Sequence, residues 1–163
     1  MRRAGIVFLG GGIGSCLRAA LLAWLAPAGA VAPVLLANLV GAFVLGLVWV
    51  LADEAGLLQA RARFFLAVGM LGGFTTFSTF GWGVDALLAG RTWALAAVYL
   101  AASIGGGIVA VVAGLAAGRG LVALAERTAR TVLRRLDERG PRPSGDTRTD
   151  LGAVEAEDRE ESA

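Results

Sequence analysis

The 163-residue chain contains no histidine and no lysine, and it has a single cysteine and a single tyrosine. Each absence removes a class of chemistry. Without histidine there is no Ser/His/Asp triad and no ordinary zinc site; without lysine there is neither a Schiff base nor a Walker-type phosphate lysine. Cys16, alone in an apolar run, rules out any disulfide within the chain. Charge is also sparse, with Asp, Glu, Lys and Arg together supplying 17% of the residues. In their place stand 56% hydrophobic residues and a mean hydropathy of +0.69, more apolar than a soluble domain of this size carries.

Four apolar runs, at residues 5–26, 33–52, 64–89 and 93–118, each approach the ~20 residues a helix needs to cross ~30 Å of hydrocarbon. They predict an all-α membrane protein of four transmembrane helices occupying residues 1–118, with short connections that make neighbouring spans antiparallel. The first run is longer than the apolar core of a signal peptide, carries Arg18 and lacks a clear cleavage context, so it is expected to remain as a span. Its glycines do not form a nucleotide loop, because the third glycine of GxGxxG falls on Ser15 or Leu17. Gly10 and Gly14 instead make a small-xxx-small pair that lets another helix approach closely.

After Gly118 the composition changes. Residues 119–138 place Leu121, Leu124, Ala125, Val132 and Leu136 among Arg127, Arg130, Arg134 and Arg135, the pattern of a basic amphipathic helix lying on an anionic membrane face or of a solvated helical extension. Residues 139–163, rich in Pro, Gly, Ser, Thr and acidic side chains, read as a disordered tail without a catalytic role. The formal net charge of +2 hides a basic stretch followed by an acidic one, so nucleic acid is not an expected partner.

The arginines also orient the chain. With four spans, Arg2, Arg3, Arg61, Arg63 and Arg119 fall on one side and Arg91 alone on the other, so the positive-inside rule puts both termini in the cytoplasm of a multi-pass cell-membrane protein. Arg18 is the one charge deep in an apolar run. Burying it costs at least ~2.5–3.5 kcal/mol on insertion scales, so it either faces a vestibule or snorkels to the surface.

The third run holds the densest polar chemistry. Residues 69–83, GMLGGFTTFSTFGWG, combine glycines, hydroxyls and aromatic rings without a charge. Backbone polar groups left unsatisfied in hydrocarbon cost several kcal/mol each, so such a segment belongs inside protein or beside a watery path. Gly69, Gly72 and Gly73 each weaken a helix by ~1 kcal/mol relative to alanine, which predicts a break near the centre of this span. If the helix resumes near Thr75, Phe77 and Phe80 share one face and Thr75, Ser78 and Thr79 the opposite one. Ring edges carry partial positive charge, so two edges turned inward can solvate a small anion weakly enough to release it. Asn38 in the second run is either a further donor on that path or a hydrogen-bonding link between helices. Tyr99 and Ser103, one turn apart in the fourth run, add donors to one face, unless Tyr99 is an interfacial anchor.

Three motifs, GGGIGSCLR, NLVGAFVLG and GGFTTFSTF, occur in this order over residues 10–114, and together they resemble the Fluc (CrcB) family of fluoride channels. The resemblance implies a small four-span chain that pairs as an antiparallel dimer and passively conducts fluoride out of the cell through two pores. By the same resemblance Phe77 and Phe80 are the pore rings, Asn38 is a pore donor, and Ser78, Thr79, Tyr99 and Ser103 form polar tracks. Gly72 and Thr75 match positions whose backbone carbonyls hold a structural sodium ion at the dimer axis, a role that suits a hard cation. The chain departs from the family pattern at Val34, where a threonine is usual, and at Gly81 and Gly83, where a serine and a later glutamate are usual. The hydroxyl count along the pore is reduced accordingly. An antiparallel homodimer needs one sequence to insert both ways, whereas the arginine bias commits this chain to one orientation; a heterodimer with an oppositely inserted paralogue meets both demands.

Other classes fit the residues less well. A small proton-coupled exporter needs a carboxylate within the membrane, where the first span offers Arg18. A purely structural four-helix membrane subunit accounts for the glycines and Asn38 but not for the ring and hydroxyl arrangement. An intramembrane enzyme lacks a nucleophile and base pair.

Overall fold

The computed structural model describes residues 2–137; the tail expected at 139–163 lies outside the described residues. Helix α1 is Arg2–Trp24 and α2 is Ala32–Trp49, continued by a π-helical turn Val50–Glu54. The third span opens with α3 (Ala60–Arg63), widens to a π-helix Phe64–Met70 and tightens again as α4 (Leu71–Phe74). It is interrupted at residues 75–77 and resumes as α5 (Ser78–Ala89). Helix α6 is Trp93–Asp137. Among the described residues four stretches are long and apolar enough to cross a membrane: Arg3–Trp24, Ala32–Glu54, Ala60–Ala89 and Trp93–Asp137. Pro33 stands in the first turn of α2, where its missing N–H is not needed by the helix.

The surface is apolar and the core is small, the inverse of a water-soluble bundle. Val34, Ala37, Val50 and Ala96 are buried, whereas Phe8, Trp24, Phe77 and Val109 are 69–84% exposed. A chain that leaves such side chains outward needs lipid or another protein around it.

Glycines bring the helices together. Helix α1 packs chiefly on the π-helix and α4. A methyl group added to Gly10 would lie 2.6 Å from the Phe65 carbonyl oxygen, and one on Gly69 2.9 Å from that of Val7. Gly14 and Gly73 are closed off in the same way by Met70 and Gly11. Gly10 and Gly14 thus work as the small-xxx-small pair their spacing predicts. Helices α2 and α6 repeat the device, Gly46 facing the Val111 carbonyl and Gly114 that of Phe43.

One expectation is corrected here. The span does not unwind at Gly69, Gly72 and Gly73, which are all helical; backbone packing of Gly69 and Gly73 on α1 outweighs their poor propensity of ~1 kcal/mol each. Helix α6 runs through Gly118 without interruption, in keeping with the helical extension that is one of the two readings of the segment after it. Gly118 is buried against Val50, whose Cβ would lie 2.8 Å from an added methyl, so it serves close approach rather than termination.

One end of the bundle is tied by charge. Arg63 pairs with Asp53, and Arg119 makes a bidentate bond to Glu54 at 2.7 and 2.8 Å. The Arg3 guanidinium lies 5.3 Å from the centre of the Phe64 ring. Residue 3, the connection between the second and third spans, and residue 119 therefore share one end, as an even number of alternating spans requires. The chain divides into two compact units between Leu124 and Ala125. In the second, Arg130 pairs with Glu126 at 3.0 Å while Val132, Leu133 and Leu136 are exposed.

Candidate functional site: a broken span and a hydroxyl-lined cavity

Two adjacent threonines and one asparagine make the interruption. Thr75 is extended, with φ −78° and ψ 153°. Its N–H and its hydroxyl both donate to the Leu71 carbonyl at 2.9 Å, which closes α4. The Thr76 N–H, which in an unbroken helix would donate to Gly72, donates instead to Asn38 Oδ1 at 2.9 Å. Asn38 Nδ2 returns the bond by donating to the Thr76 carbonyl at 3.1 Å. Thr76 Oγ1 then accepts the Thr79 N–H at 3.3 Å and so caps the new helix. The side-chain oxygens of β-branched threonine compete well with helical bonds, which explains why the chain breaks here rather than at the glycines.

Arg18 turns inward. Its Nη1 donates to the Thr75 carbonyl at 3.1 Å, so the guanidinium compensates an oxygen that the break released; it does not snorkel. Gly72 lies on the exposed side of α4 with nothing within 4 Å of its missing side chain. Its carbonyl has lost the Thr76 donor to Asn38.

Beyond the break a cavity of about 310 Å³ is lined by Asn38, Thr75, Thr76, Phe77, Phe80, Ser103 and Ile104. Larger grooves of about 440 and 560 Å³ run beside α1, but side chains without hydrogen-bond donors dominate their walls. The Phe77 and Phe80 ring centres are 5.9 Å apart, tilted by 45°, and Tyr99 continues the cluster 5.2 Å from Phe80 at the same tilt. Phe77 is 84% exposed and Phe80 partly buried. Tyr99 is only 3% exposed, and among the described residues neither its hydroxyl nor that of Ser103 finds a hydrogen-bond partner. Buried hydroxyls without partners are rare and call for a reason.

The predicted residues thus fall into three places. Asn38, Phe77, Phe80 and Ser103 meet at the cavity, with Tyr99 behind Phe80. Ser78 and Thr79 stand outside its lining and reach it through Thr76 Oγ1, at 3.3 and 3.0 Å. Thr75 touches both the cavity and Arg18, while Gly72 does neither. Because the helix restarts at Ser78, Thr75 is not on a helical face with Ser78 and Thr79 as the spacing suggests. Asn38 spends both ends of its carboxamide on Thr76, the interhelical link, with one N–H left over. The sequence analysis does not single out Thr76, yet it is a buried polar residue of the core, at 7% exposure. A threonine three residues before Thr79 at a helix restart is the capping signal that points to it. Val34 is buried and brings no hydroxyl; Gly83 lets the Tyr99 ring lie against α5, 3.3 Å from where a methyl would be.

A four-span helical membrane protein with a donor-lined interruption in its third span is the class this geometry defines. The chain belongs to the family described as CrcB-like protein, Camphor Resistance (CrcB), which matches residues 5–115. It is similar to proteins named "Fluoride-specific ion channel FluC": 39% identical over 116 residues to that of Chlorobium chlorochromatii, covering 70% of this chain and 90% of the relative. That of Deinococcus radiodurans is 42% identical over 114 residues, covering 68% and 90%. That of Thermus thermophilus is 42% identical over 120 residues, covering 72% and 94%. The relatives are channels by name, not enzymes.

Proposed function

We propose that the chain is a subunit of a fluoride-selective channel that passively exports fluoride and lowers its cytoplasmic concentration. The observation that carries this reading is the Phe77–Phe80–Tyr99 ring cluster beside two buried hydroxyls, Tyr99 and Ser103, that have no partner. Ring edges and neutral O–H groups are weak anion donors, and an ion must be bound firmly enough to enter yet loosely enough to leave. The names of the relatives narrow the anion to fluoride. The path runs from the cavity wall at Asn38 and Thr76, past Phe77 and Phe80, with Ser78, Thr79, Tyr99 and Ser103 as donors.

The working unit of this reading is an antiparallel dimer. Phe77 and Ser78, exposed on the single chain, are then covered by the partner rather than by lipid. The arginine distribution, with both termini cytoplasmic, favours a heterodimer with an oppositely inserted paralogue. Asp53 and Glu54 do not cancel that bias, because acidic residues contribute little to orientation. Reporters fused to the C-terminus are expected to signal from the cytoplasm only; equal signal from both sides would support a homodimer.

Gly72 and Thr75 fit a structural sodium ion in donor chemistry. Both offer neutral carbonyl oxygens outside the helical ladder, the kind of ligand a hard cation takes. Two oxygens do not fill a coordination shell, so the site is complete only with the partner's equivalents. The Thr75 oxygen already accepts from Arg18 Nη1 at 3.1 Å, so a sodium ion held there would have to share that carbonyl with a cationic side chain.

Reconstitution in liposomes with fluoride followed by electrode tests the function. Passive fluoride efflux, exclusion of chloride and loss of flux in Phe80→Ile are expected. An unaltered rate in that variant defeats the ring assignment.

A further inference from the structure

The family match ends at residue 115, whereas α6 continues to Asp137. The channel fold therefore does not account for residues 119–137. They hold five arginines against two acidic residues, Glu126 and Asp137. At about 100° per residue, Leu121, Val122, Val132, Leu133 and Leu136 fall within an arc of roughly 120° on this helix. Arg127, Arg130 and Arg134 gather on the opposite side, and Arg135 borders the apolar arc. Glu126 and Asp137 lie towards the other border, where Arg130 holds Glu126 at 3.0 Å and compensates its charge. Leu121, Val132, Leu133 and Leu136 are 50–65% exposed.

Charge decides what covers that arc. A second copy of the helix would set arginines against arginines, and the seam between the two would include Ala125 and Ala129, which have little to bury. A leaflet of anionic phospholipid satisfies both faces at once: the apolar side chains enter the acyl boundary while the guanidinium groups meet phosphates. The segment also starts in the right place. Arg119, bonded to Glu54 at 2.7 and 2.8 Å, fixes its first residue at an end of the membrane-spanning bundle. Gly120 follows, with nothing within 4 Å of its missing side chain. No contact demands a glycine there, and glycine is where a helix turns most readily.

We propose that residues 121–137 are a docking surface for anionic phospholipid, with α6 turning at Gly120 from crossing the bilayer to lying along the leaflet it leaves. The helix then holds this end of the protein to one leaflet, whichever ion the spans conduct.

A depth measurement on the full chain in nanodiscs tests this. Cys16 is replaced by alanine, and a fluorophore is attached through Leu133→Cys, in the apolar arc, or through Thr131→Cys, on the arginine face. Lipids spin-labelled on the acyl chain are expected to quench the probe at 133 strongly in nanodiscs containing phosphatidylglycerol and weakly in phosphatidylcholine alone. The probe at 131 stays unquenched in both. Each arginine adds about fivefold to such binding, so Arg127→Gln/Arg134→Gln/Arg135→Gln is expected to lower the ratio of docked to solvated helix about a hundredfold. Salt at about 1 M, which shortens the Debye length to about 3 Å, is expected to release the helix with its arginines intact, so the test stands if that variant fails to fold. Equal quenching at 133 in the two lipids overturns the proposal, as does a water-like spectrum in both, the mark of a solvated extension. A probe at 133 that is shielded from water yet beyond the reach of spin-labelled lipid overturns it too, because protein then covers the arc; deletion of residues 139–163 tells the acidic tail from a second copy.

Discussion

Replacing Asn38 with leucine tests whether the interruption is held from outside the third span. The carboxamide accepts from the Thr76 N–H at 2.9 Å and donates to the Thr76 carbonyl at 3.1 Å. Leucine is of similar size but has neither donor nor acceptor, so both backbone groups of a residue only 7% exposed lose their partner. An orphaned buried group costs ~1–3 kcal/mol, so the two together predict a loss of about 2–6 kcal/mol in folded stability. Relaxation has one route open: the Thr76 N–H can swing back to the Gly72 carbonyl and restore the helical bond, which lowers the cost but straightens the span and removes the cavity wall. Stability and flux must therefore fall together or trade against each other. Unfolding of the detergent-solubilised protein, followed by tryptophan fluorescence, gives the first quantity and liposome fluoride efflux the second. An Asn38→Leu variant that stays within ~0.5 kcal/mol of wild type, the range of an ordinary surface substitution, and also conducts normally would refute the reasoning.

Gly73→Ala drives a methyl into the Gly11 carbonyl and is expected to cost ~1–3 kcal/mol by thermal unfolding, whereas Gly12→Ala, with nothing within 4 Å, stays near neutral. Arg18→Met frees the Thr75 carbonyl of a competing cation, so the stabilisation by sodium chloride over choline chloride is expected to grow; no sodium-specific difference in unfolding temperature in either protein would remove the metal from the site. Gly81→Ser places a hydroxyl in open space just past Phe80, and the variant is expected to fold normally and conduct at or above the wild-type rate in liposomes.

The four spans were legible because each bilayer crossing demands about twenty apolar residues, and the α1 contact because Gly10 and Gly14 carry no side chain. That the third span breaks was also readable, but its position was not. Glycine propensity pointed to residues 69–73, while tertiary packing on α1 kept those turns helical and left the interruption to Thr75 and Thr76. Propensity is a local quantity; the competing bonds come from Asn38 and Arg18, 38 and 57 residues away from their partners. The same distance hid the role of Arg18, since nothing in a single apolar run says whether a guanidinium has a carbonyl to meet. Thr76 was invisible for a different reason. Amid the hydroxyls of GGFTTFSTF its importance lies in burial, which depends on α2.

A broken helix presents two opposite electrical ends at one point. The stretch from α3 through α4 finishes at Phe74 with its carbonyls outward, and α5 starts at Ser78 with its N–H groups outward, so the negative pole of one helix faces the positive pole of the next across residues 75–77. The side chains follow that division. The cationic guanidinium of Arg18 sits on the Thr75 carbonyl, at the negative end, and Gly72 supplies a second released oxygen nearby in sequence. The ring pair and the hydroxyls of Thr76 and Thr79 gather at the positive end. On the proposed reading, a single interruption would sort cation from anion while the donors on the anion's side stay neutral. If the proposed channel carries a small, strongly hydrated anion, that neutrality would permit its passage: a fixed positive charge at low dielectric would bind it too tightly to release, whereas half a helix charge and neutral hydroxyls would compensate the lost water in steps small enough to reverse.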